Sequence, residues 1–213
     1  MNKAILFDFD GTIIDTNELI IRSYKYAYNK ILGYDISIEE ILELFGRPLL
    51  ISLQGKHGEE VGEKLYYAFR EFNEANHDKI SKPFKGIPDA IYDLKNMGYK
   101  LGIVTSKRIE MLIRGLKLLK LENIFDVLIA AESTSKHKPE AEPILAACEK
   151  IGVKPCETLY VGDSVFDILC GKNAGAKTCG VGYSMTETEK LFESGMDFLV
   201  EDIPQLVKVL ENE

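Results

Sequence analysis

Near the start of the chain runs Ala4-Ile5-Leu6-Phe7-Asp8-Phe9-Asp10-Gly11-Thr12. An apolar run, Ala4 to Phe7, ends abruptly in a carboxylate. A second carboxylate stands two positions on, and a glycine follows. A short apolar run bounded by turn signals predicts a buried strand. In an open parallel sheet, ligands bind just beyond the carboxyl ends of the strands, which puts Asp8 at that edge. Asp10 stays beside it if the chain turns at Gly11, a residue free to take backbone angles that others avoid. Two carboxylates this close repel each other unless a proton or cation is shared, and magnesium suits such hard oxygen ligands. A plainer reading of a bare Asp-x-Asp has one residue capping a helix and the other solvated in a loop. The remainder of the chain weighs between the two.

Downstream of Gly11 the pattern is helical for a long stretch. Asp15 and Glu18 have the spacing of a capping box, and Ile20, Tyr24, Ala27, Tyr28 and Ile31 then share one helical face, stopped by Gly33. Ser37 and Glu40 repeat the box, ahead of Ile38, Ile41, Leu42 and Phe45, with Gly46-Arg47-Pro48 as a turn. From about Glu59, the residues Val61, Leu65, Phe69 and Phe72 trace another helix. At Lys82-Pro83-Phe84-Lys85-Gly86 the character changes. Strands over 101–104, 126–130, 158–161, 177–181 and 198–200 then alternate with helices over 87–97, 109–119, 143–151, 165–173 and 203–210. Alternation of this kind predicts a parallel sheet covered on both faces. The fold class expected is therefore α/β, a Rossmann-like doubly wound parallel sheet core with a small all-helical cap domain inserted after the first strand. Residues 1–15 and 81–213 form the expected core and 16–80 the expected cap.

Composition excludes several classes of function. The 213 residues are 46% hydrophobic, enough for a real core. A net charge of −8, from 26 basic and 34 acidic residues, lacks the electrostatic footprint of a nucleic-acid binder. No apolar stretch is long enough to span a bilayer, and no signal peptide is evident, so a cytoplasmic protein that engages no membrane is expected. Cys148, Cys156, Cys170 and Cys179 form no Cys-x-x-Cys pair and have no histidine cluster beside them, so buried free thiols are expected rather than zinc. His57, His77 and His137 are scattered and are read as surface or structural residues. Nothing in the composition signals a dedicated interface, and a monomer is expected.

Three predicted strand ends bring polar groups to one sheet edge. The first brings Asp8 and Asp10, the second Thr105 and Ser106, the third Asp163 with Asp167 four residues on. A strand that ends in hydroxyl residues and enters a helix suits phosphate, because free N–H groups and the helix dipole favour an anion there; Thr105 and Ser106 would equally serve as N-caps. Asp163 and Asp167 share one helix face if the helix starts between them, and with Asp8 they could hold magnesium. Lys138 would neutralise charge if it reaches the same pocket, and is otherwise a solvated surface lysine. Arg47, aimed by the Gly46–Pro48 turn, would grip carboxylate or phosphate bidentately; as a turn residue it would simply be solvated.

Taken together, Asp8-Phe9-Asp10-Gly11-Thr12, Thr105-Ser106, Lys138-Pro139 and Gly162-Asp163-Ser164-x-x-Asp167 resemble, in order and spacing, the four motifs of the haloacid dehalogenase-like (HAD) hydrolase superfamily. The helical insertion is similar to that family's small α-helical cap, and the chain looks like its phosphoglycolate phosphatase and pyrophosphatase group. The resemblance spans nearly the whole chain. It implies a magnesium-dependent phosphatase that acts on a small phosphorylated metabolite (phosphoglycolate-, pyrophosphate- or sugar-phosphate-like) through an aspartyl-phosphate. It implies Asp8 as nucleophile, Asp10 as general acid and then base, Thr105 holding the phosphoryl group and Lys138 orienting it. Asp163, Asp8 and the backbone carbonyl of Asp10 would bind the metal, with Asp167 behind them or bound through water. The alternative within the resemblance is a phosphosugar mutase of β-phosphoglucomutase type. Relatives of that kind tend to carry Glu where Gly162 stands, which leans the reading toward hydrolysis. The chain departs from the family at Ala141, where a second proline is usual.

Overall fold

The strand predicted first is β1 (Ala4–Phe7), and every residue of it is buried. Its apolar run is continuous because neither face of the strand meets water: Ile5 and Phe7 point into one core, Ala4 and Leu6 into another. The computed structural model describes residues 2–212. After β1 come β2 (Ile14–Asp15), α1 (Asn17–Leu32), α2 (Ile38–Leu42), α3 (Leu49–His57), α4 (Glu59–Ile80) and β3 (Lys82–Pro83). Then follow α5 (Ile87–Asn96), β4 (Lys100–Val104), α6 (Ile109–Leu119), β5 (Val127–Ile129) and α7 (Glu142–Ile151). The chain ends with β6 (Thr158–Gly162), α8 (Val165–Ala174), β7 (Lys177–Val181), α9 (Thr188–Glu193), β8 (Phe198–Val200) and α10 (Ile203–Glu211).

Six strands form one sheet in the order β5-β4-β1-β6-β7-β8, and every pairing is parallel. From β1 the chain builds outward on one side through β4 and β5, then returns to build on the other through β6, β7 and β8. That reversal opens a crevice beyond the carboxyl end of β1, the place where such sheets bind ligands. The larger core lies on the face covered by α5, α6 and α10; the second lies under α7 and α8. This is the expected doubly wound α/β architecture.

The helices between β2 and β3 have an apolar core of their own, including Tyr24, Tyr28, Ile41, Leu53, Leu65 and Phe69. Chain entry and exit lie side by side, since β2 and β3 pair antiparallel, Ile14 with Pro83 and Asp15 with Lys82. These two-residue strands are too short to leave a periodic pattern and were not anticipated. Nor was α3, whose Leu49-Leu50-Ile51 run and internal Gly55 show no clean helical stripe.

Two local expectations are corrected. The Asp15/Glu18 capping box does not form: the N-cap of α1 is Thr16, with no side-chain cap bond, and its hydroxyl donates instead to Asp10 Oδ1 at 2.8 Å. Asp15 accepts from the backbone N–H of Asn17. Ser37 does cap α2, accepting from the N–H of Glu40. The four cysteines are free as expected, but Cys156 is exposed rather than buried. Among the described residues, no helix is long and apolar enough to cross a membrane.

Candidate active site

Asp8 follows directly on β1 and is fixed there by its backbone N–H, which donates to the carbonyl of Val161 at 2.8 Å. Asp163 follows directly on β6, the neighbouring strand, so the sheet itself brings these carboxylates together. Asp167 enters from the first turn of α8. It closes a capping box with Ser164: the Ser164 N–H and hydroxyl donate to Asp167 Oδ2, at 3.0 and 2.6 Å, and the Asp167 N–H donates back to Ser164 Oγ at 3.3 Å. One oxygen from each of Asp8, Asp163 and Asp167 falls within 4.8 Å of the others, and all three residues are buried.

Lys138 reaches this cluster from the loop before α7. Its Nζ donates to Asp8 Oδ1 at 2.8 Å and to Asp167 Oδ1 at 2.6 Å, and it is itself almost fully buried. The surface alternative for Lys138 is therefore not realised. Tyr160 adds a hydroxyl whose one proton is shared between Asp167 Oδ1, at 3.0 Å, and the carbonyl of Val104, at 2.9 Å. Asp167 thus has each oxygen taken by two donors, whereas the Asp163 carboxylate accepts no side-chain donor among the described residues.

The electrostatics follow from burial and crowding. Burial raises the pKa of Asp8 to about 7; Lys138 pulls against that shift while Asp167 and Asp10 add to it. Asp163 is pushed well above the usual carboxylate range, first by burial and then by the charges of Asp167 and Asp8. Burial alone would lower Lys138, but Asp167 and Asp8 more than offset it and hold the ammonium above its ordinary value. With all three carboxylates ionised against one ammonium, the buried site would carry an excess of two negative charges, which one divalent cation would balance in place of the protons that burial favours. Hard oxygen donors, with Asp163 unengaged by side chains, fit magnesium-type chemistry.

Gly11 makes the cluster sterically possible. Its φ of +83° is in the left-handed region, and an added Cβ would lie 2.2 Å from Asp163 Oδ2. A Cβ on Gly162 would lie 2.3 Å from the Cβ of Asp167, so no side chain fits there as the site stands.

Asp10 lies just beyond this trio. Lys107 Nζ donates to both its oxygens, at 2.7 and 2.9 Å, and Thr16 donates to one. Thr105 follows directly on β4 and is buried; its Oγ1 accepts from the N–H of Lys107 at 3.2 Å. Ser106 donates its hydroxyl to the carbonyl of Gly46 at 3.4 Å, tying the β4–α6 loop to the turn above it. That turn comes close to the sheet edge, since a Cβ on Gly46 would lie 2.7 Å from Ser164 Oγ. Arg47 projects from it with its guanidinium 5.0 Å from the centre of the Phe166 ring, and no carboxylate pairs with it among the described residues.

These groups share one cavity of about 500 Å³ between the sheet edge and the helical block. Its walls include Asp8, Asp10, Thr105, Ser106, Lys138 and Asp163 from below and Arg47 from above. Every site residue read from the sequence lines this cavity except Asp167, which stands behind it, bonded to Lys138. Lys107 and His137 line it too and were not anticipated as site residues. For Lys107 the signal was present, two residues past Thr105 in the same strand-to-helix loop. A lone histidine beside Lys138 carried none.

A family model described as haloacid dehalogenase-like hydrolase matches residues 5–181. A protein of Clostridium perfringens, provisionally named pyrophosphatase PpaX, is 45% identical over 211 residues, covering 99% of this chain and 98% of that protein. Pyrophosphatase PpaX of Halalkalibacterium halodurans is 37% identical over 208 residues, covering 98% and 96%. The crystal structure of a protein from Bacteroides fragilis, provisionally described as a haloacid dehalogenase-like hydrolase, superimposes with a TM-score of 0.90 at 24% identity. It covers 97% of this chain and all of that one, a likeness of fold.

Proposed function

From the premise that the chain belongs to the haloacid dehalogenase-like hydrolase family and is a phosphatase of it, we propose that it hydrolyses a small phosphorylated metabolite, with pyrophosphate the first substrate to test. The observation that carries this reading is the buried Asp8, bonded to Lys138 and crowded by Asp163 and Asp167, on the floor of a closed-over cavity. The names of the relatives similar along nearly their whole length support pyrophosphate. Phosphoglycolate and sugar phosphates share the needed chemistry.

In this reading Asp8 attacks phosphorus, the bond from phosphorus to the leaving oxygen breaks, and Asp10 gives that oxygen a proton. Water then attacks the aspartyl-phosphate, Asp10 takes the water's proton back, and phosphate leaves. A carboxylate nucleophile divides one difficult displacement into two easier ones. Thr105 and the N–H groups of its loop hold the phosphoryl oxygens, and Lys138 orients Asp8 and pulls its pKa down against the effect of burial. Asp8, Asp163 and the backbone carbonyl of Asp10 would hold magnesium, with Asp167 behind them steering Lys138 and Ser164. When bound, the ion would draw charge from the phosphoryl oxygens. Residues 16–80 act as the cap domain and 1–15 with 81–213 as the core, and Arg47 grips the part of the substrate that is not attacked.

The lack of room for a side chain at Gly162 supports hydrolysis over the mutase alternative, for which Glu was the expected residue. Four unpaired thiols accord with a reducing, cytoplasmic setting, and the protein is taken to work as a monomer. The test is a panel of phosphorylated metabolites assayed for phosphate release with and without magnesium, together with trapping of the phosphoenzyme and mapping of the modified residue. Release of pyrophosphate-derived phosphate with modification at Asp8 is expected. A phosphoenzyme mapped elsewhere, or transfer of the phosphoryl group to a hexose phosphate instead of water, would overturn the reading.

A further inference from the structure

Asp10 is gripped from two sides. From the start of the helical block Thr16 donates to Oδ1 at 2.8 Å. From the β4–α6 loop Lys107 Nζ donates to Oδ1 at 2.7 Å and to Oδ2 at 2.9 Å. A donor bonded to both oxygens, together with Thr16 on one of them, holds the carboxylate from two sides. Lys107 is itself held in place. Its side chain is 9% exposed, its ammonium lies 5.9 Å from the centre of the Phe9 ring, and its backbone N–H donates to Thr105 Oγ1. Among the described residues, Lys107 pairs with no carboxylate other than Asp10. The loop assigned to phosphate thus also carries the group that aims Asp10.

We propose that Lys107 is a positioning residue for Asp10, holding its carboxylate at the angle from which it serves the leaving-group oxygen and then the attacking water. The inference rests on the role assigned above to Asp10. General acid help matters most for a poor leaving group and least for a good one, so a mis-aimed Asp10 has a recognisable signature. A lysine that only stabilised the fold, or only bound phosphate, would affect all esters alike.

The test compares single-turnover phosphoenzyme formation from an alkyl phosphate and from p-nitrophenyl phosphate in Lys107→Met, Lys107→Arg, Asp10→Asn and the double variant Asp10→Asn/Lys107→Met. Lys107→Met should lose at least roughly tenfold more on the alkyl ester than on the nitrophenyl ester, within the span of general acid effects. Lys107→Arg, which restores donors in the same place, should recover part of that difference. In the Asp10→Asn background, Lys107→Met should add less than about twofold, the mark of two residues acting as one unit. Equal losses on both esters in Lys107→Met, or losses that multiply in the double variant, would overturn the inference while leaving Asp10 in its role. Equal losses in Asp10→Asn alone would instead overturn the role of Asp10, and the inference with it. If Lys107→Met does not fold, as judged by circular dichroism, Lys107→Gln carries the same comparison.

Discussion

The floor and the roof of the cavity are built in opposite ways. On the floor the polar groups hold one another, Asp163 excepted: Asp167 alone accepts from Lys138, Tyr160 and both donor groups of Ser164, and Lys138 spans Asp167 and Asp8. On the roof the lining is mostly apolar, with Ile20, Tyr24, Phe45, Leu49 and Phe69, and the Arg47 guanidinium lies over the Phe166 ring with no carboxylate partner among the described residues. A change on the floor therefore disturbs several groups at once in a buried, low-dielectric place, where electrostatic interactions are strongest. In the proposed reading, a change on the roof alters what is admitted and leaves what is done to it intact, so the floor carries the chemistry and the roof is where selectivity is adjusted.

The sharpest way to break that comparison is Asp8→Asn. The amide is nearly isosteric and is a poor nucleophile. Turnover should fall by roughly four orders of magnitude or more, the scale seen when a nucleophile is removed. No phosphoenzyme should be trapped, and the circular dichroism spectrum should be unchanged. Substantial residual hydrolysis in a preparation free of deamidated protein would take the nucleophile away from the floor.

Asp163→Ala comes next. The Asp163 carboxylate has no side-chain donor among the described residues to keep it in place, so in the proposed reading its contribution is charge and oxygen ligation rather than structure. The apparent magnesium affinity should drop by more than the roughly 10- to 100-fold typical of an outer-shell partner, with activity partly restored at high magnesium. An unchanged magnesium dependence of the rate would remove Asp163 from the ligand set.

The third prediction concerns the cost of assembling the floor. Asp8 has its pKa raised from 3.8 to about 7, chiefly by burial. Between those values the folded protein keeps a proton that the unfolded chain has released, so raising the pH favours unfolding. In chelator, wild-type stability should lose on the order of a few kcal/mol relative to Asp8→Asn as pH rises from about 4 to 7, then level off. Magnesium should shrink that gap. Urea denaturation at a series of pH values measures it, and a gap that does not change with pH would mean Asp8 is not destabilised by burial.

The same contrast explains what could be read in the sequence. Asp8, Thr105 and Asp163 each follow an apolar run that the fold must bury, so their positions at one edge follow from strand pairing alone. Asp167 was legible by its four-residue spacing from Asp163, although its engagement with Lys138, Tyr160 and Ser164 was not. Lys107 was passed over because a lysine after two hydroxyl residues looks solvated until the Phe9 ring and the Asp10 carboxylate are seen beside it. On the roof, α3 shows no stripe because Leu50 and Ile51 serve the cavity and its rim while Leu49 both lines the cavity and packs against the core of the helical block. Pattern reading finds residues placed by the sheet. It is weaker where a side chain is placed by tertiary contact.

The smallest expected effect tests the roof itself. Arg47 follows a glycine packed 2.7 Å, at its would-be Cβ, from Ser164 Oγ, so the turn cannot lift without losing that contact, and the guanidinium is kept near the floor. Its one close partner is an aromatic face, a weak hold that leaves its donors available to an anion. Pyrophosphate has a second anionic group to offer those donors, whereas p-nitrophenyl phosphate has none. Arg47→Ala should therefore raise KM or lower kcat/KM for the best small substrate that carries a second anionic group and leave p-nitrophenyl phosphate nearly unaffected. The two should diverge by roughly tenfold, the scale of one charge-assisted contact. Steady-state kinetics on both substrates decides the matter. Parallel losses would make Arg47 part of the floor's chemistry, and no change on either would leave selection to the shape of the roof and its other polar residues, Asn17, Arg70, Asn73 and Glu74.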